Sequence, residues 1–195
     1  LIQEVEVDAD TLQRAVKTSR EIVASVRPDQ MDDLTPCKSW KVRDLLNHMI
    51  DAPTFAATVM ETGDWTNDSG ESFDHASGDY LADYDAATAH AIAAFRADGA
   101  LSRMVKLPFG ELPGAAFASI ATGDAFVHGW DLAKATGRPT DFDPELAGEI
   151  LVAVRPMLPD QMRGSDGLAP FGPEIKVSAE ASPGDKLAAF LGRQP

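Results

Sequence analysis

"GDAFVHGWDLAKATGRP" occupies residues 123–139 and sets a histidine inside an apolar helical pattern. Gly137 and Pro139 supply a stop, because glycine accepts left-handed backbone and proline cannot continue a helix. The helix that they end is expected over 115–135. Within it, Asp124 and His128 stand four residues apart, so their side chains share one face, one turn apart. A buried carboxylate beside a buried imidazole is costly unless each is satisfied. What the pair holds decides how the rest of the chain is read.

Upstream, a first helix is expected from Asp8 or Asp10 to Val26, with Leu12, Ala15, Val16, Ile22 and Val23 recurring at helical spacing. After the loop "RPDQMDDLTPCKSW", Ser39 can cap a second helix, "WKVRDLLNHMIDA", which Pro53 kinks or ends. Residues 61–79 are rich in Gly, Ser and Asp and read as a long surface loop. A third helix fits 80–97. "MVKLPFGELPG" is too short and too rich in Pro and Gly for a helix and reads as a β-like excursion or an irregular crossover. Downstream, a fifth helix is expected from Pro144 to Met157 and a short last helix over 183–191. Helices of this number, each with one dominant apolar stripe, imply an all-α bundle. Residues 1–162 are assigned to the bundle and 163–195 to a C-terminal tail packed on it.

Composition bounds the function. The 195 residues carry 31 acidic and 17 basic side chains, a formal net charge of −14. Such a surface repels phosphate backbones and anionic membranes, so neither nucleic acid nor membrane is expected as a partner. Cys37 is the single cysteine, which excludes a disulfide within one chain and points to a reducing cytoplasm. The start "LIQEVEVDAD" has neither the basic nor the apolar region of a signal peptide. Nothing in the pattern fixes whether the chain is a monomer or a dimer.

His48 falls on the side of the second helix marked by Leu45 and Met49, and could meet Asp124 and His128 between two helices. Two imidazoles and a carboxylate suit a divalent transition ion with open positions. On spacing alone the plainer reading has the better claim: two core histidines, each satisfied by a carbonyl or a carboxylate. Asp131, one turn after His128, could orient a ligand imidazole or could be a surface carboxylate. Arg193 could fold back to meet an anionic substrate or a thiol cofactor, against the plainer reading of an exposed tail arginine. Trp40 and Trp130 read as packing residues, with Trp40 covering a bundle end. Cys37 reads as structural or incidental, since no base stands near it in sequence. His75 reads as solvated in the polar loop, and His90 as unremarkable.

"TPCKSWKVRDLLNHM" followed by "GDAFVHGWDLAKATGRP" resembles the actinobacterial metal-binding proteins related to mycothiol-dependent maleylpyruvate isomerase, within the DinB/YfiT-like superfamily. The tail "FGPEIKVSAEASPGDKLAAFLGRQP" is similar to that of one branch of the group. The resemblance implies a DinB-like four-helix bundle, here with a short C-terminal extension. It implies one divalent ion held by His48, Asp124 and His128, with zinc the first choice and nickel, iron or manganese the alternatives. The isomerase branch carries a glutamate where this chain has Asp124, and a further C-terminal domain for which this chain is too short. The function implied is a mycothiol-dependent thiol transferase or isomerase acting on a small electrophile. The alternative is a non-catalytic metal- or ligand-binding module in stress response.

Overall fold

The computed structural model describes residues 8–70, 72–165, 169 and 171–195. The acidic start at 1–7, Glu71 of the polar loop, and positions 166–168 and 170 of the tail lie outside the described residues. The chain forms a helical bundle with the order α1 (Ala9–Val23), α2 (Val42–Thr62), α3 (Tyr80–Arg96), β1 (Met104–Leu107), β2 (Gly110–Pro113), α4 (Gly114–Ala135), α5 (Pro144–Val154) and α6 (Pro183–Phe190). This is the expected all-α bundle. In the four-helix core, α2 lies against α3 and α1 against α4, while α1–α3 and α2–α4 contacts close the ring.

Asp8 caps α1, its carboxylate accepting from the Asp10 and Thr11 amides at 3.0 and 2.9 Å. The start of α2 differs from expectation. Lys41, not Ser39, is the capping position, and Asp44 reaches back to its amide at 2.9 Å. Pro53 neither ends nor divides α2, which runs on to Thr62 and stops at Gly63 with φ 80°. An interior proline costs about 3 kcal/mol. Leu45, Leu46, Met49 and Ile50 on one side of it, and Ala56, Ala57, Val59 and Met60 on the other, are all buried. At about 1.5–3 kcal/mol per large apolar side chain, that burial outweighs the break.

"MVKLPFGELP" resolves into an antiparallel hairpin, β1 pairing with β2 from Met104–Pro113 to Leu107–Gly110. Val105 and Leu107 point into the core. The polar loop is not featureless. It carries short 3-10 turns at Trp65–Asn67 and His75–Ser77, and Asn47 accepts from the Ala76 amide at 2.9 Å.

α4 is buried on most of its circumference, the behaviour of a central helix. It can lie so close to α1 because residue 129 is glycine. A Cβ there would stand 2.4 Å from the Ser19 hydroxyl oxygen, which donates to the Ala125 carbonyl at 2.7 Å. Trp130, fully buried, donates to Asp185 at 3.0 Å and ties α6 to α4. Leu187, Phe190 and Leu191 join Phe126, Leu146 and Ile150 in one apolar cluster. Gly172 and Gly192 pass in backbone contact: a Cβ on Gly192 (φ 86°) would lie 2.5 Å from the Gly172 Cα. That crossing carries the C-terminus back over α4. Among the described residues, no helix is long and apolar enough to cross a membrane.

Candidate metal centre

Three parts of the fold meet at one place. His48 comes from α2, Asp124, His128 and Asp131 from α4, and Arg193 from the returning C-terminus. The segment before α2 adds Cys37 and Trp40. The imidazoles of His48 and His128 stand edge to face with centroids 4.7 Å apart. Their Nε2 atoms lie 3.5 and 3.4 Å from the same oxygen, Asp124 Oδ1. His48 Nε2 is buried and makes no hydrogen bond to any described residue.

These distances suit an ion. Two donors at about 2.1 Å from one tetrahedral centre stand about 3.4 Å from each other. The plainer reading of two locally satisfied core histidines does not describe His48, whose buried nitrogen lacks the bond that reading requires. His48, Asp124 and His128 therefore could hold a divalent cation.

His128 is fixed from behind. Its Nδ1 lies 3.0 Å from Asp131 Oδ2, which leaves Nε2 to face Asp124. Asp131 is fully buried, so it is not a surface carboxylate. Arg193 binds both Asp131 oxygens, through Nε at 3.3 Å and Nη2 at 3.2 Å. The exposed-tail reading of Arg193 fails, since its side chain is only 12% exposed. The Cys37 thiol donates to Asp131 Oδ2 at 3.2 Å, with Arg193 Nη2 at 3.8 Å. Cys37, His128 and Asp131 also lie close enough to bind an ion. There, however, the Arg193 guanidinium already supplies the positive charge, and a second cation would be repelled.

The charges are mutually adjusted. Burial alone would raise the Asp124 carboxyl, but the two imidazoles outweigh it and hold it far below the usual carboxylate range. Burial pulls His128 down, yet Asp124, Asp131 and Cys37 together set it well above an ordinary histidine. Asp131 is desolvated and still held low, by His128 and Arg193. Two carboxylates thus face one guanidinium and one imidazolium, and an ion at the centre would take the place of the His128 proton.

Trp40 is more than a cover for a bundle end. Its ring lies 4.7 Å from His48 and 5.7 Å from His128, walling the centre. His75 is not simply solvated, pairing with Asp83 at 2.7 Å and Asp51 at 3.3 Å. His90 pairs with Glu61 at 2.6 Å. A cleft of about 780 Å³ opens over the centre, lined by Cys37, Trp40, His48, Asp124, His128 and Arg193 among others. The pairing of Cys37 and Arg193 with Asp131 could not be read from the sequence, because 94 and 62 residues separate them from it. No local period reports such a contact.

The family model for the mycothiol maleylpyruvate isomerase N-terminal domain matches residues 12–133. The chain belongs to this family. The matched span contains every residue of the centre except Arg193. Two uncharacterized proteins of Mycobacterium tuberculosis, from strains CDC 1551 / Oshkosh and H37Rv, are each 40% identical over 181 residues. The alignment covers 93% of this chain and 94% of each relative. Among solved structures, a mutant of the mycothiol-dependent maleylpyruvate isomerase superposes with a TM-score of 0.60 at 13% identity. It covers 75% of this chain and 65% of the isomerase, so this member of the family spans just under two thirds of that enzyme's length. At this identity the likeness is one of fold.

Proposed function

We propose that the protein is a metal-dependent enzyme that uses a low-molecular-weight thiol, mycothiol, against a small electrophile, in a transfer or an isomerisation. The convergence of His48, Asp124 and His128 on the wall of the large cleft carries this reading. These three would hold one divalent ion, zinc before nickel, iron or manganese. When bound, such an ion lowers the pKa of a thiol and fixes its direction. Asp131 holds the His128 ring in the tautomer that turns Nε2 to the centre. Arg193 neutralises Asp131 and lines the cleft, and its one N–H not taken up by Asp131, Cys37 or Leu191 would meet the polar part of the thiol. Trp40 keeps water from one side of the imidazoles. The cleft is of a size that takes a thiol and a second small molecule together. A thiol cosubstrate and a free Cys37 suit a cytoplasmic setting, where thiols stay reduced.

The nucleophile in this reading is the cosubstrate's sulfur, and Cys37 donates its hydrogen to Asp131. The test is thiol transfer from mycothiol to a panel of electrophiles, with wild type, His48→Ala and Cys37→Ser. Turnover should require thiol, ion and His48, and should survive in Cys37→Ser. Loss of all turnover in a Cys37→Ser protein that keeps its ion would move the nucleophile onto the protein. Ligand binding with no turnover on any electrophile would make the protein a binding module.

A further inference from the structure

A second, partly open pocket lies among the bundle helices. It holds about 180 Å³ between α1, α2, α3, α4 and the hairpin. Its walls are apolar, with Leu12, Val16, Met49, Phe117 and Ala121 among them. Two lining residues carry hydroxyls, and both are spent on the protein: Tyr84 donates to the Val16 carbonyl at 3.3 Å and Thr88 to the Tyr84 carbonyl at 2.7 Å. Among the described residues, Asp124 is the only charged one on the wall. Ile120 and Asp124 line this chamber and the large cleft alike, so the two spaces meet at the candidate metal centre.

The chemistry of such a space is restrictive. An apolar cavity of about 150 Å³ stays dry and takes up benzene. A carboxylate brought into this one would meet no cation and no free hydrogen-bond donor on the apolar walls, and would face Asp124. We propose that the chamber binds the uncharged, apolar, ring-sized part of the electrophile, with the reactive carbon left at the Asp124 edge. The polar thiol would enter from the cleft side. This rests on the function proposed above and narrows it: the second substrate is a neutral apolar molecule and not a dicarboxylate.

Toluene and benzoate, alike in size and different in charge, are the probes. Methyl NMR on the full chain should show saturable shifts at Leu12, Val16, Leu107 and Ile120 with toluene, and none with benzoate at equal concentration. Ala121→Leu fills the chamber and should weaken toluene binding at least tenfold while helical circular dichroism stays as in wild type. If that variant does not fold, Ala52→Leu fills the same space from α2. No toluene shifts, equal shifts with benzoate, or unchanged affinity in a folded filled variant would overturn the proposal. Metal content measured on the same samples separates the two readings. Toluene binding without an ion would keep the chamber and sink the metal centre, and an ion without toluene binding would do the reverse.

Discussion

Asp131 is the residue on which the others at the centre depend. It accepts from His128 and Cys37 and is held by Arg193, so three groups from distant parts of the chain are oriented by one buried carboxylate. Partners of this kind behind a ligand imidazole are commonly worth about 10–100-fold in metal affinity. Asp131→Asn keeps the volume but removes the charge that pairs Arg193. Isothermal titration with zinc should show affinity lower by about that factor, with the binding stoichiometry unchanged. An Asn variant with wild-type affinity would mean that His128 is oriented by packing alone. The role of Asp131 was half legible in sequence, because its spacing from His128 was plain and its burial was not.

At the scale of elements, caps and close contacts do the fixing. The Asp8 cap on α1 is worth about 1 kcal/mol, and Asp8→Ala should lower the urea midpoint accordingly. Hydrogen bonding to the Thr11 amide holds the Asp8 carboxyl below its ordinary 3.8, although partial burial opposes this. The cap's contribution is therefore complete above 3.8 and is lost as the pH falls through the lower folded-state value. The gap in stability between wild type and Asp8→Ala should close under strongly acidic conditions, and a gap that widens there would contradict the assignment. Gly129 sets the α1–α4 distance. Gly129→Ala should destabilise by about 1–3 kcal/mol in equilibrium unfolding, despite alanine's better helix propensity. A stabilised variant would mean that α1 yields at Ser19. The helices themselves were legible from apolar spacing. The hairpin was legible only as a β-like excursion or an irregular crossover, because four-residue strands are too short to show a period.

For the molecule as a whole, the fold follows from local patterns and the site from distant contacts. Periodicity placed His48, Asp124 and His128 on helix faces, and only the packing of α2 against α4 brings their donor atoms together. The Gly172–Gly192 crossing, which returns Arg193 to the centre, is invisible locally, since both glycines also suit ordinary turns. One four-helix core thus offers two spaces, a cleft of mixed polarity and an apolar chamber, that share Asp124. The thiol chemistry proposed for it depends on an ion at that junction. Elemental analysis of the purified protein, beside His48→Ala, Asp124→Ala and His128→Ala, tests this most directly. Wild type should carry close to one divalent ion per chain, and each variant should lose most of it while its helical circular dichroism is kept. A folded His128→Ala protein with full metal occupancy would contradict the assignment.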